Sequence, residues 1–150
     1  MKTRFVFLML FICALLTNCI NNSTSPIIGT WELNKGSYIS SDTALMKSIE
    51  YPRTVNGENW KIITKSHFAS IYQDTTTSLF FTTGFNGGTY TFINGIYTEN
   101  FTHSSISNNQ IGEKLFFKAK IEGDKLFLTP CSEDGTEKKF GNFEEYKRLD

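Results

Sequence analysis

The sequence predicts an all-β protein: a single antiparallel up-and-down β-barrel of about eight strands, with a β-sandwich as the alternative architecture. Three observations predict it. From Ile27 onward β-branched and aromatic residues dominate, and apolar–polar alternation of period two recurs. Turn signals of the hairpin kind separate the runs, while helical periodicity is scarce. A meander of this kind leaves two open edges, and closure into a barrel removes both.

The first eighteen residues stand apart from that pattern. Lys2 and Arg4 precede twelve apolar residues, Phe5 to Leu16, the layout of a charged n-region and an h-region. As a helix this run reaches only about 18 Å, against roughly 30 Å of hydrocarbon for a spanning segment, so residues 1–18 read as a signal peptide. The run closes on Leu16-Thr17-Asn18-Cys19, which resembles the lipobox of bacterial lipoproteins, with Asn18 where a small residue is usual. That resemblance makes Cys19 the first residue of the mature chain and its lipid attachment point. Up to three acyl chains at about 0.8 kcal/mol per buried CH₂ then form a nearly irreversible anchor. Residues 19–26 read as the lipidated N-terminus and a short polar tether, and 27–150 as the barrel domain.

Removing residues 1–18 leaves 13 basic against 15 acidic residues, a balance with no basic groove for nucleic acid. Cys13 departs with the signal and Cys19 is acylated, so Cys131 stands alone and no internal disulfide forms. Cys131 lies in "TPCSEDGTE" without a neighbouring base in sequence, and is read as unreactive.

Along the domain, the first strand is placed at Gly29 to Tyr38, followed by a short helix over Thr43 to Glu50 with Asp42 as N-cap. Strands follow at Trp60 to Lys65, His67 to Gln73 and Leu79 to Thr83, and "TGFNGGT" reads as a bulged turn between strands. "TYTFINGIYTEN" sets Asn94-Gly95 between two alternating aromatic runs, the signature of a type I′ hairpin. "EKLFFKAKIEGDKLFLT" is a second hairpin around Gly123-Asp124, with Leu115, Phe117, Ala119 and Ile121 on one face and Lys118 and Lys120 on the other. Phe140 to Arg148 forms the last strand.

"GTWEL", Gly29 to Leu33, resembles the Gly-x-Trp opening of lipocalins and related calycin barrels. With "KIITKSHFASIYQD", "GGTYTFINGIYTENF" and "FKAKIEGDKLFLTP…FEEYKRL", the chain is similar to the small lipocalin-like domains of secreted Gram-negative lipoproteins, most of unknown function. The resemblance implies that Gly29 and Trp31 close one end of the barrel, with Arg148 packed over the Trp31 ring.

An eight-stranded barrel is filled by side chains or admits one small ligand. On the Asn-Gly hairpin, Tyr90 and Phe92 share a face, as do Tyr97 and Glu99. If that face lines the lumen, these four residues form a candidate ligand site with Glu99 as a polar device in an apolar pocket; otherwise Glu99 is solvent-exposed and the rings are cross-strand packing. His67 and His103 lie far apart without a third ligand, so no metal is expected, and His103 is read as a loop residue. No nucleophile elbow or carboxylate pair marks an enzyme, and no cofactor is expected.

The expected function is therefore a monomeric lipoprotein that holds a small, largely apolar ligand without converting it. The alternative is an envelope interaction module with a packed barrel whose loops contact a protein or glycan. Ile20 is not the aspartate that retains lipoproteins at the inner membrane, and "INNSTS" lacks an acidic export run, so the periplasmic leaflet of the outer membrane is favoured. Asp42-Thr43-Ala44 and Asp74-Thr75-Thr76 resemble the short Asp-Thr sites that some gut bacteria O-glycosylate. Replacing Cys19 by alanine should abolish fatty-acid labelling and move the protein from the membrane to the soluble fraction; unchanged labelling and fractionation would contradict the anchor.

Overall fold

A computed structural model describes residues 25–41, 49–51, 58–74, 82–105 and 107–150. The signal peptide, Cys19 and most of the 19–26 tether lie outside these residues, as do Asp42 to Ala44, Thr75 and Thr76.

The chain is a closed, eight-stranded, all-antiparallel up-and-down barrel. Its strands are β1 (Gly29–Ile39), β3 (Glu58–Ile63), β4 (His67–Asp74), β5 (Thr82–Ile93), β6 (Ile96–Ser104), β7 (Lys114–Glu122), β8 (Lys125–Pro130) and β9 (Gly141–Arg148). Each pairs with the next, and β9 returns to β1 from Trp31↔Arg148 to Ile39↔Gly141. A three-residue strand, β2 (Ile49–Tyr51), continues the other edge of β1 beyond the point where β3 leaves it. Closure gives every barrel strand two partners, which a sandwich would not.

The Asn94-Gly95 hairpin adopts the I′ conformation, with φ of 52° and 79°. The second hairpin turns at Gly123, φ 60°. Inward alternation sets Phe117 on β7, Leu126 and Leu128 on β8 and Tyr146 on β9 into one buried cluster with Trp31, Ile63, Phe68, Tyr97 and Phe101. Phe68 and Phe101 meet edge to face at 5.5 Å.

One end of the barrel is closed by its termini. The Trp31 indole N–H donates to the Ile27 carbonyl at 2.9 Å, and the Arg148 guanidinium stacks 4.0 Å over the Trp31 ring. Arg148 also donates to the carbonyls of Ile28 and Pro26, at 2.8 and 2.6 Å. Such a stacked cation is worth about 0.5–2 kcal/mol, and here it also ties the last strand to the segment before the first.

Four local expectations are corrected. Ile49 and Glu50, assigned to the helix, belong to β2. Thr82 and Thr83 begin β5 and do not end a separate strand. "TGFNGGT" is not a turn but part of β5, with a bulge between Gly87 and Gly88. His103 lies within β6. The glycines of β5 have a steric reason: a Cβ at Gly84 would enter the Tyr72 ring, and one at Gly88 would collide with the Asn100 backbone carbonyl. A ring can swing aside, whereas a paired strand cannot. Gly88→Ala should therefore cost about 1–3 kcal/mol in urea denaturation; an unchanged midpoint would show that the bulge absorbs a methyl group.

Candidate functional site

The interior is chemically two-sided. Cross-strand registers Lys61↔Ser70↔Asn86 and Asn59↔Tyr72↔Gly84 set two adjacent polar rows on the inner face of β3, β4 and β5. The inner face of β7 and β8 is apolar, carrying Phe117, Ala119, Ile121, Leu126 and Leu128. Between the two walls, β6 contributes Tyr97 and Glu99, and β9 contributes Glu144 and Tyr146.

Lys61 organises this space. Its ammonium donates to Glu99 Oε1 at 2.8 Å and to Glu144 Oε2 at 3.1 Å, and the Lys61 side chain is 3% exposed. Three rings surround the same nitrogen, with centroids 5.1 Å (Tyr146), 5.6 Å (Phe117) and 5.8 Å (Tyr97) away. Tyr146 Oη donates to Glu144 Oε2 at 2.9 Å. Burial works against the ammonium, yet Glu144 and then Glu99 outweigh it and hold its pKa well above the ordinary lysine value. Lys61 is thus held as a charged strut between the two carboxylates.

Glu99 behaves differently. Burial raises its carboxyl pKa, and Glu144 adds to the rise, against the opposing pull of Lys61. Burial likewise pushes the Tyr97 and Tyr146 phenols well above their ordinary range.

Among the described residues, four inward-facing polar atoms are buried without a hydrogen-bond partner from the protein itself: Asn59 Oδ1, Tyr72 Oη, Asn86 Oδ1 and Tyr97 Oη. The Tyr97 ring is fully buried, and its hydroxyl sits close enough to Glu99 to influence its titration without closing a well-formed hydrogen bond.

Of the residues proposed from sequence, Tyr90 pairs with Glu99 and Phe92 with Tyr97 across the hairpin, all four on the inner side. Tyr97 and Glu99 are buried, so Glu99 is not a solvent-exposed residue; Tyr90 packs beside Tyr97 at 5.4 Å and donates to the Thr64 carbonyl at 2.7 Å. Gly29, Trp31 and Arg148 gather at the closed end described above. Cys131 is buried, and burial raises its thiol pKa. Among the described residues no group of three or more His, Cys, Asp or Glu is placed to hold a metal ion.

Sequence reasoning missed Lys61, Glu144, Tyr146, Asn59, Tyr72 and Asn86. In "NWKII" the apolar Trp60 and Ile62 look like the core face, but Trp31 faces inward and pairs with Lys61, which turns Lys61 inward instead. The register from Gly29-x-Trp31 is the signal that would have found it. An open cleft of about 400 Å³ lies where β8 and β9 part, lined by the outward Phe127 and Phe143 and by the inward Leu128 and Glu144, with Lys35 and Glu145 beside them. No family model and no curated protein matches the chain.

Replacing Lys61 by methionine leaves two carboxylates without their counter-charge and should cost about 3–5 kcal/mol at neutral pH, less in acid where the carboxylates take up protons. Glu99 gives a separate pH signature. Its folded pKa is raised from 4.5, so its contribution to stability is full below that value and is lost as pH climbs through the raised one. Urea denaturation across that window should show a falling slope in wild type that Glu99→Gln flattens; an identical slope in both proteins would contradict the assignment.

Proposed function

We propose that this protein is a lipid-anchored, lipocalin-like lipoprotein whose barrel holds one small, largely apolar molecule with a polar end, without converting it. The observation that carries this reading is the set of four unpartnered polar atoms on the inner wall. A buried polar group with no partner costs about 1–3 kcal/mol, so a native interior that leaves four of them calls for a partner. A ligand whose polar end meets Asn59, Tyr72, Asn86 and Tyr97, and whose apolar body lies against β7 and β8, supplies it. The anchor at Cys19 and the periplasmic leaflet of the outer membrane belong to the same reading, on the strength of the sequence.

A second reading, an envelope module that contacts a protein or glycan, draws support from the open cleft between Phe127 and Phe143. The two separate under mutation. If the inner polar atoms serve a ligand, Tyr97→Phe should leave the empty protein equally stable or more stable by about 1 kcal/mol while weakening a fluorescent amphiphile about five- to tenfold. Amphiphile binding that is absent in wild type, or unaffected by Tyr97→Phe and Asn86→Leu alike, would overturn the ligand reading.

A further inference from the structure

The outer face of β3, β4 and β5 breaks the rule that a barrel turns its polar residues outward. Register sets Trp60↔Ile71↔Phe85 in one row across the three strands and Ile62↔Ala69↔Gly87 in the row beside it. Alternation against the inward Lys61, Ser70 and Asn86 turns all six outward. Trp60, Ile71 and Phe85 are 38%, 36% and 47% exposed. No charged residue occupies any of the six positions, whereas the outer face of β7 carries Lys118 and Lys120 and that of β9 carries Glu145 and Lys147. Across these three strands the rows are uncharged and apolar, bordered at Trp60 by Glu32 of β1, and a tryptophan and a phenylalanine on such a face are the composition of a surface that meets something apolar.

We propose that this face rests on the bilayer, with Trp60 and Phe85 at the boundary between headgroups and acyl chains, so that the barrel lies on its side against the membrane. The inference rests on the anchored reading above and adds an orientation to it. The reach of the chain argues for the bilayer over other occupants. The chain is fixed to the barrel from Ser25, whose carbonyl accepts from the Ile28 N–H, and Arg148 grips Pro26 and Ile28. Between Cys19 and Ser25 the backbone can span at most about 20 Å. Gly29 pairs with Ile63, and Trp60 lies three residues further along β3, a distance of about 10 Å. A lipid on Cys19 thus holds this patch within reach of the surface. Tryptophan and phenylalanine are the side chains that favour that interface. Side-on docking also leaves the interior close to the membrane, where an amphiphile is most concentrated.

The test uses the lipidated protein, extracted from cells and reconstituted into phosphatidylethanolamine–phosphatidylglycerol vesicles whose acyl chains are brominated near the headgroup. Trp60 is surface-placed and Trp31 is fully buried, so Trp60→Phe isolates the Trp31 emission as an internal control. Docking predicts that bromine removes most of the Trp60 emission in wild type and little of the emission of Trp60→Phe. It also predicts that Ile71→Asp still floats with the vesicles but loses the quenching. Protein that floats while its Trp60 emission is indifferent to bromine overturns side-on docking and leaves the anchor standing. Protein that fails to float overturns the anchor, and this inference with it. A Trp60 emission that shifts with protein concentration, and not with vesicles, assigns the face to a second copy of the chain instead.

Discussion

The ladder between β1 and β9 is the constraint on which the rest of the structure depends. It turns an open meander into a closed wall, and closure gives Lys61 an inside to be buried in. The same ladder sets the register that opposes Trp31 to Arg148, so the stacked guanidinium and the closed end follow from it. Without it, two edge strands would offer free backbone donors and acceptors along their length, and the charged cluster would stand in water. Asp150 reinforces the closure by accepting from the Thr30 N–H at 3.0 Å, on the strand that Arg148 also holds.

Lys61 is the second constraint, and it sits uneasily with the first. Burying one ammonium and two carboxylates carries a desolvation cost that an apolar core would not, and buried ion pairs often add little net stability. The cluster ties β3 to β6 and β9 across the interior, which packing between neighbouring strands cannot do. It also fixes one side of the interior as polar beside the apolar wall of β7 and β8. A barrel selected for stability alone would have filled this space with leucine. In the proposed reading the asymmetry orients a molecule with two chemically different ends, and the inner atoms that the protein leaves unpaired support that reading.

Much of the fold was legible in the sequence because its signals were local. Asn94-Gly95 can serve as a two-residue turn only with both φ angles positive, and the runs on either side alternate cleanly. The second hairpin was legible because Gly123 supplies the positive φ at the first position of its two-residue turn, between runs that alternate as cleanly. The glycines of β5 misled, because glycine marks a turn and a close approach alike, and only the tertiary structure shows the Tyr72 ring and the Asn100 carbonyl beside them. Half the candidate site was legible: Tyr90, Phe92, Tyr97 and Glu99 could be grouped on one face, but alternation does not say which face is inside. That ambiguity hid Lys61 behind the more apolar Trp60 and Ile62. Glu144 was hidden by Glu145 next to it, since two consecutive carboxylates differ only in the side of the wall they occupy.

In the proposed reading, the polar side of the interior receives the polar end of a ligand. The most direct measurement is a high-resolution crystal structure of protein taken gently from its native membrane, with the electron density read around Asn59, Tyr72, Asn86 and Tyr97. One elongated molecule is expected there, with its polar atoms on these side chains and its body along Phe117, Leu126 and Leu128. Density showing only bridging waters that satisfy all four atoms, or side chains repacked to pair them with one another, would contradict it.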